Sequence, residues 1–261
     1  MNNRTDNLRY ILRTLLNERE EYAGWQIPET LEEQQRMMRA LLNVRPPQPV
    51  SKEFLQAQDA ELQQQLEDKG VVSLSDIAPC KSNDKLRIWQ GDITRLQTDA
   101  IVNAANSALL GCFVPLHRCI DNAIHSAAGV QLRLECNRLM QAQGHPEPTG
   151  KAHITQGYNL PARYILHTVG PIVRNGKPTP RQEQELAACY QSCLALAESY
   201  RLNSVAFCCI STGEFGFPQK RAAQIAVQTV TDYLDTSTYI QTILFNVFKD
   251  EDLSIYQELL P

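Results

Sequence analysis

Two cysteines and a histidine lie close together near the middle of a chain of 261 residues. Cys112, His117 and Cys119 follow one another with the spacing C-x4-H-x-C. Two thiolates and an imidazole suit Zn²⁺, and three protein ligands instead of four leave an open coordination position, as in catalytic zinc sites. The spacing is not that of a common zinc finger, so a loop with two buried thiols and a surface histidine is the alternative interpretation.

Amide and carboxylate side chains flank this cluster. Asn103 and Asn106 come at the end of an apolar run that is typical of a buried strand, and Asp121 starts a predicted helix. Neutral amides hold hydroxyl groups in fixed geometry. A carboxylate in the first turn of a helix either caps the N-terminus or orients a water or a hydroxyl, and His125 shares its face one turn further on. So many polar groups after an apolar strand predict a binding or catalytic site.

Two further turns carry candidate binding residues. In the turn Gly91-Asp92-Ile93-Thr94, after a predicted strand, the carboxylate either caps the turn or accepts a hydrogen bond from the exocyclic amine of a base. The glycine-rich turn (residues 211–218) precedes a predicted helix, so its backbone N–H groups can point into one concavity and bind a diphosphate. Phe215 or Phe217 of this turn is a candidate for contact with a sugar or a base. An ordinary turn without a ligand is the alternative.

These candidate residues need a scaffold, and the pattern of apolar residues predicts one. From about residue 84, short apolar strands alternate with helical segments, which indicates a three-layer α/β/α sandwich with a mostly parallel sheet. Ligands of such sheets bind at the carboxyl ends of the strands, where the turns described above begin. We predict helix from Ile120 to about Gln143 with a break at Gly129, and a fully covered strand from Ser204 to Ile210.

Residues 1–79 differ from the rest, and we predict a helical extension that precedes a domain of residues 80–261. This part is rich in Gln, Glu and Leu, and its apolar residues follow helical spacing in three segments. Ser51 is a candidate N-cap of the third helix. The narrow apolar faces of these helices must be buried. We expect them to pack against the following domain, with a separate partner-binding module as the alternative.

The composition of the chain narrows the function classes. The net charge is −4, and residues 80–261 hold 16 Lys and Arg against 16 Asp and Glu, which argues against binding to nucleic acid. No apolar run reaches the about 18 residues that a membrane helix needs. The first residues carry no apolar signal region, so a cytoplasmic location is expected. The 8 cysteines therefore favour reduced thiols, core packing or metal ligation over a disulfide framework.

Several motifs, in this order and spacing, resemble the macrodomain family over roughly residues 84–261. They are GDIT (91–94), DAIVNAANS (99–107), IHSAAG (124–129), TG (149–150) and STGEFGFP (211–218). The resemblance implies a mixed six-stranded sheet in an α/β/α sandwich that binds ADP-ribose. By position, it implies that Asp92 binds the adenine amine beside the Ile93 backbone, and that Asn106 lies near the distal ribose. It also implies a diphosphate loop made of Ser211, Thr212, Gly213, Glu214, Phe215 and Gly216.

One departure from the family pattern points to a subgroup. MacroD-type hydrolases, whose acid on the distal ribose matches Asp121, carry a run of glycines where this chain has residues 111–119. That difference, together with the helical extension, resembles the zinc-dependent macrodomains of microbial pathogens. Their operons encode a sirtuin-type ADP-ribosyltransferase and a lipoyl-carrier protein. The resemblance supports zinc on Cys112, His117 and Cys119, next to the distal ribose.

The resemblance implies a hydrolase that removes mono-ADP-ribose from acidic side chains of a modified protein, with a lipoyl-carrier protein as a candidate substrate. Asn106 and Asp121 would be catalytic: Asn106 orients the ribose and Asp121 positions the water or a hydroxyl. Asn103 and the two turns would bind substrate. The zinc would either activate water or polarise a ribose or ester oxygen. A reader module that binds ADP-ribose without cleaving it and a deacetylase of O-acetyl-ADP-ribose are the alternatives.

Overall fold

The computed structural model describes residues 4–261. Within this part the helices are α1 (Arg4–Asn17), α2 (Leu31–Val44), α3 (Lys52–Lys69), α4 (Ile120–Ala128), α5 (Val130–Gln143), α6 (Pro180–Ser199), α7 (Gln219–Leu234) and α8 (Asp250–Leu259). The strands are β1 (Val72–Ser73), β2 (Pro79–Cys80), β3 (Asn83–Gln90), β4 (Leu96–Gln97), β5 (Ala100–Ala104), β6 (Ala152–Gln156), β7 (Tyr164–Thr168), β8 (Ser204–Phe207) and β9 (Thr242–Val247). No helix among residues 4–261 is both long and apolar enough to cross a membrane.

Seven of these strands form one mixed sheet in the order β2-β3-β9-β8-β5-β7-β6. The two edge strands, β2 and β6, run antiparallel to their neighbours, and the other pairs are parallel. This confirms the predicted α/β sandwich with a mixed, mostly parallel sheet, and it adds one strand to the six that the sequence predicts. The additional strand, Pro79–Cys80, is too short to show a period in the sequence.

The central strands of the sheet are buried. Ala100, Ile101 and Val102 of β5 are fully buried, and such continuous apolar runs are typical of parallel strands between two layers of helices. The predicted strand that starts at Ser204 ends at Phe207, because the chain leaves the sheet there and leads into the glycine-rich turn. Since β5, β8 and β9 are parallel neighbours, their carboxyl ends lie side by side at the same end of the sheet.

Helices α4 and α5 are separated at Gly129, as predicted. This residue has a φ of +94°, which favours glycine over residues with a side chain. A Cβ at this position would lie 2.6 Å from Gln58 Nε2 of α3. The break between the two helices is therefore also a place of close contact with the N-terminal extension.

The three N-terminal helices have a small core of their own. It consists of Leu8, Ile11, Leu12, Leu15, Tyr22, Met38, Leu41, Leu42, Phe54, Ala57, Leu62 and, from α5, Val130. Ser51 caps α3 as predicted, by accepting a hydrogen bond from the Phe54 N–H at 3.1 Å. Gln58 Oε1 accepts from the Val130 N–H at 3.0 Å, so the extension packs against the following domain. The division at residue 79 stays a prediction, and Ile77 already belongs to the core of that domain.

Candidate functional site

A cavity of about 550 Å³ opens at the carboxyl ends of β5, β8 and β9. Its walls come from the loop between β5 and α4, the glycine-rich turn and the chain after β9. The predicted site residues that it brings together are Asn106, Cys112, His117, Cys119, Asp121, Ser211, Thr212, Gly213, Glu214 and Phe215. The other predicted site residues, which lie outside its lining, are Asp92, Ile93, Asn103 and Gly216. The predicted metal and catalytic residues, and all the predicted diphosphate residues except Gly216, therefore line one cavity.

The three candidate metal ligands are close enough to share one ion. The donor atoms of Cys112, His117 and Cys119 lie within 4.8 Å of one another, and Cys112 Sγ is 3.6 Å from His117 Nδ1. Around a tetrahedral zinc, with Zn–S of about 2.3 Å and Zn–N of about 2.0 Å, neighbouring donor atoms are about 3.5 Å apart or slightly more. All three side chains are half-buried. The donor set therefore fits zinc in chemistry and in spacing.

Neighbouring groups orient these ligands. Cys119 is the N-cap of α4, and its Sγ accepts a hydrogen bond from the Asn122 N–H at 3.4 Å. Glu214 Oε1 lies 3.6 Å from His117 Nε2, so the imidazole presents Nδ1 to Cys112 and Nε2 to a carboxylate, as in many histidine–metal sites. Burial raises the pKa of the Cys119 thiol to about 12. A metal ion must therefore displace a proton from this thiol when it binds.

Asp121 is a buried acid of the cavity wall, only 4% exposed. Asn103 Nδ2 donates to its Oδ1 at 2.8 Å, and Asn106 Nδ2 lies 3.5 Å from its Oδ2. Burial raises the pKa of Asp121 to about 6, although the hydrogen bond from Asn103 and the charge of Arg133 oppose this shift. The cap of α4 is Cys119. Of the two roles that the sequence suggests for Asp121, orienting a water or a hydroxyl is therefore the one that its geometry supports.

Asn103 lies behind Asp121 and is fully buried. One N–H of its amide donates to Asp121 and the other to His167 Nδ1, at 3.2 Å. His167 Nε2 lies 2.9 Å from Thr155 Oγ1, so we assign the proton of the neutral ring to Nε2. His125 is also buried, with Nε2 3.5 Å from Asp121 Oδ1. Asn103 therefore links Asp121 to His167 through hydrogen bonds. Contact of Asn103 with the substrate stays a prediction.

The buried ring of His167 makes the fold sensitive to acid. Burial lowers the pKa of His167 to about 3, whereas a histidine in an unfolded chain has a pKa of about 6.5. When a base has a lower pKa in the folded state, its contribution to the free energy of unfolding is complete above about pH 6.5. This contribution decreases as the pH falls toward about 3, because the unfolded chain binds the proton more tightly. From this group we expect the free energy of unfolding to fall by about 2 kcal/mol between pH 7 and pH 5. Urea unfolding at the two pH values measures the fall.

The variant His167→Asn provides the control for this effect. Its amide oxygen can accept from Asn103 near the position of Nδ1, but it has no group that titrates in this range. The variant should lose less stability than the wild type between pH 7 and pH 5, whatever its stability at pH 7. Equal losses in the two proteins would show that His167 is not the source.

The glycine-rich turn, which lines the cavity, has free backbone donors. The N–H groups of Gly213, Glu214 and Phe215 find no hydrogen-bond acceptor among residues 4–261. Consecutive free amides close to the N-terminus of α7 form a suitable site for an anion such as a diphosphate. Gly216 has a φ of +67°, and a Cβ there would lie 2.8 Å from the carbonyl oxygen of Val173. This position therefore needs glycine, and it shapes the turn from outside the cavity lining.

The two phenylalanines of the glycine-rich turn have different surroundings. Phe215 lines the cavity, whereas Phe217 is 1% exposed and packs in the core. Contact of the Phe215 ring with a ligand therefore stays a prediction. The same prediction is wrong for Phe217, because its ring is buried in the core. Gly170, which the sequence did not single out, also lines the cavity, and a Cβ there would collide with Ser211 Oγ.

Asp92 lines a second cavity of about 530 Å³, between the extension and α4. Its Oδ1 accepts hydrogen bonds from the N–H and the hydroxyl of Thr94, at 3.0 and 2.6 Å, so it caps the turn. Burial opposes its ionisation, but the hydrogen bonds from Thr94 and Lys69 lower the pKa of Asp92 overall. The side chain of Ile93 is buried. Arg118 lines both cavities, so its side chain lies between them.

Sequence reasoning missed the cavity residues that follow β9. The apolar run that ends at Phe248 predicts a strand, but β9 ends one residue earlier and Phe248 lines the cavity with 78% of its surface exposed. Gln90 Nε2 donates to its carbonyl oxygen at 3.3 Å, so Phe248 lies beside the turn that holds Asp92. An aromatic residue at the carboxyl end of a strand is the signal that could have found it.

Known proteins resemble this chain in both sequence and structure. The family model described as Macro domain matches residues 102–226. A protein named protein-ADP-ribose hydrolase from Treponema medium is 50% identical to this chain over 253 residues, which cover 96% of this chain and 97% of that protein. A protein of the same name from Staphylococcus aureus strain MSSA476 is 50% identical and covers 96% of this chain and 94% of its own length.

Solved structures agree with the sequence matches. The Trypanosoma brucei macrodomain in complex with ADP-ribose matches with a TM-score of 0.67 and 29% identity, over 90% of this chain and 97% of that one. An Oceanobacillus iheyensis macrodomain with ADP matches with a TM-score of 0.61 and 41% identity, over 70% of this chain and 92% of that one. With relatives that are 50% identical over almost its whole length, this chain belongs to the macro domain family.

Proposed function

We propose that this protein is a hydrolase that removes mono-ADP-ribose from acidic side chains of a modified protein, with zinc as its metal. The observation that carries the proposal is that one cavity holds three soft metal donors, the buried acid Asp121 and the free amides of the glycine-rich turn. Relatives named protein-ADP-ribose hydrolase, at 50% identity, support the activity. Macrodomains solved with ADP-ribose or ADP support the ligand.

ADP-ribose can lie in the cavity in an orientation that places its two negatively charged phosphates next to backbone N–H donors. The two phosphates need donors, and the free amides of the glycine-rich turn provide them. The adenine then extends past Phe248, whose ring can stack on the base, toward Asp92, which lies outside the cavity lining and whose carboxylate can accept from the exocyclic amine. The distal ribose lies toward Asn106 and Asp121. Contacts along the whole ligand hold the reacting carbon near the acid, which supplies catalysis by proximity.

Hydrolysis breaks the bond between the distal ribose and a carboxylate oxygen of the modified side chain. Water adds across this bond, and the products are free ADP-ribose and the restored carboxylic acid. Asp121, with a pKa that burial raises to about 6, can accept a proton from the water or from a ribose hydroxyl near neutral pH. Asn106 orients the ribose hydroxyl beside it. Cys112, His117 and Cys119 would hold a zinc ion, which would supply Lewis acidity at this end of the cavity.

Turnover on defined substrates tests the proposal. Protein mono-ADP-ribosylated on Asp or Glu should release free ADP-ribose when mixed with a small molar fraction of enzyme, and the purified enzyme should contain one zinc per chain. A lipoyl-carrier protein modified in this way is the first substrate to compare. Stoichiometric binding without release would identify a reader module instead. Faster release of acetate from O-acetyl-ADP-ribose than of ADP-ribose from protein would identify a deacetylase.

The exposed ring after β9 provides a separate test of the ligand. Phe248→Ala should weaken the binding of ADP-ribose about tenfold, because stacking of a base on an aromatic side chain contributes about 1 to 3 kcal/mol. Phe248→Tyr keeps a ring and should bind as the wild type does. Ile172→Ala removes another exposed apolar side chain that lies outside the cavity lining, and it is the control. Titration calorimetry measures the affinity, and an unchanged value in Phe248→Ala would place the base elsewhere.

A further inference from the structure

Helix α2 of the extension reaches the loop that carries the metal donors (residues 111–119, the metal loop). Asn43, in the last turn of α2, is 1% exposed. Its Oδ1 accepts a hydrogen bond from the Leu116 N–H at 2.9 Å, and its Nδ2 donates to Ser126 Oγ at 2.9 Å. One buried side chain therefore ties α2 both to the metal loop and to α4.

The same helix holds the backbone of the histidine ligand. Arg39 lies one turn before Asn43, and its Nη2 donates to the carbonyl oxygen of His117 at 3.2 Å. Asn122 Nδ2, from α4, donates to the same oxygen at 3.2 Å. The backbone of His117 is thus fixed between two helices, which restricts the direction of its imidazole.

The end of α2 is also joined to the first half of the metal loop. Arg133 of α5 is buried, and its Nη1 donates to the carbonyl oxygens of Leu42 and Arg45 at 2.8 and 2.6 Å. Its guanidinium lies 4.6 Å from the centre of the Phe113 ring, a distance at which the aromatic face attracts a cation. Arg133 therefore connects the carboxyl end of α2 with the metal loop.

The metal loop has few interactions of its own that would keep this shape. Phe113 and Leu116 have φ values of +52° and +56°, a left-handed conformation that is unfavourable for residues other than glycine. Within the metal loop the described backbone makes one hydrogen bond, from the His117 N–H to the Val114 carbonyl oxygen at 3.2 Å. A strained backbone persists where its surroundings determine it. Here the side chains of α2 are part of those surroundings.

We propose that α2 positions the metal site, through Asn43 and Arg39. These two side chains hold the backbone at Leu116 and His117 so that the imidazole faces the two cysteine ligands before the ion binds. A preorganised ligand set binds more tightly than a flexible one, because less conformational freedom is lost on binding. This inference rests on the proposed zinc function, and it gives the extension a role in the chemistry beyond covering the domain.

Other contacts between the extension and the domain lie away from the metal loop and allow a matched comparison. Gln63 of α3 donates from Nε2 to the carbonyl oxygen of Asn159 at 3.0 Å. Gln63→Ala weakens the docking of the extension without removing a contact to the metal loop. Asn43→Ala removes a contact to the metal loop. The pair therefore separates positioning of the ligands from docking in general.

The experiment measures zinc affinity in the full chain. Wild type, Asn43→Ala, Arg39→Met and Gln63→Ala are stripped of metal and titrated with zinc in competition with a chromogenic chelator. The zinc dissociation constant should rise at least about tenfold for Asn43→Ala, since removal of groups that orient metal ligands has effects of this size. It should change by less than about twofold for Gln63→Ala. Asn43→Asp keeps an oxygen for the Leu116 N–H and should recover part of the affinity.

Two further readouts distinguish positioning from loss of structure. The visible absorption of the Co²⁺-loaded protein reports the ligand geometry, and its bands should change in Asn43→Ala but not in Gln63→Ala. With saturating zinc, kcat of Asn43→Ala should fall while KM for the ADP-ribosylated protein stays near the wild-type value, because Asn43 lies outside the cavity lining.

The outcomes separate this inference from the proposed function. Zinc affinity near the wild-type value in both Asn43→Ala and Arg39→Met would overturn the role of α2, while stoichiometric zinc in the wild type would leave the proposed function standing. A wild type that binds no zinc would overturn both. If Asn43→Ala does not fold, Arg39→Met decides, because Arg39 is only partly buried and its loss leaves the core of the extension intact.

Discussion

Cys119→Ser should lose its bound zinc and release ADP-ribose about 100-fold more slowly than the wild type. Lewis-acid stabilisation of a transition state by zinc is worth several kcal/mol, and about 1.4 kcal/mol corresponds to a tenfold change in rate. Serine is the best substitution because Cys119 also caps α4. A serine hydroxyl is a good N-cap, so the start of the helix is kept while the soft metal donor is lost.

Zinc content and turnover should be measured on the same preparations of this variant. Cys80→Ser is the matched control, because Cys80 is another half-buried thiol that lies outside the cavity lining. It should keep both its zinc and its rate. If Cys119→Ser lost zinc but kept its rate, zinc would have no part in the mechanism. That result would not contradict the fold or the proposed binding of ADP-ribose in the cavity.

Asp121→Asn should lower kcat by about 100-fold or more while ADP-ribose binds nearly as tightly as before. Proton transfer by a positioned acid or base contributes about 100-fold to 10,000-fold to a rate, and the amide cannot accept the proton. The substitution keeps the size of the side chain and an oxygen that can accept from Asn103. The support that Asn103 and His167 provide is therefore retained, and the loss reports the carboxylate alone.

Single-turnover rates and calorimetric affinity for ADP-ribose separate the two possible roles of Asp121. A loss in kcat without a loss in affinity identifies a group that acts in the transition state. Asp232→Asn removes one negative charge from an exposed position on α7, and it should change neither quantity. A loss of affinity as large as the loss in kcat would make Asp121 a binding residue and would contradict its catalytic role.

The features that could be predicted from the sequence depend on residues that are near one another in the chain. The break at Gly129 and the cap at Ser51 follow from the conformational preferences of single residues. The strands follow from runs of apolar residues that a covered sheet requires. The spacing C-x4-H-x-C keeps the three metal donors in one short loop, which limits how far apart they can lie, and their donor atoms lie within 4.8 Å of one another.

The features that could not be predicted depend on contacts between distant segments. Asn103 contacts His167 because the two residues are paired in the register of the neighbouring strands β5 and β7. The alternation of apolar residues along either strand does not show which strand it pairs with. Phe248 becomes a cavity residue because its strand ends beside β3. The strand β2 exists only through its partner. In each case a local pattern specifies the element, and the sheet order decides what the side chain touches.

The hydrogen bonds from α2 to the metal loop also have a consequence for the order of folding. Asn43 and Leu116 are 73 residues apart in the chain, and Arg39 and His117 are 78 apart. Contacts so distant in sequence form late, because a long loop must be closed first. If α2 positions the ligands as proposed, zinc uptake follows assembly of the N-terminal helices on the domain. The extension, which precedes the domain in the chain, then holds the loop in which the metal site is completed, and zinc uptake during refolding reports that last step.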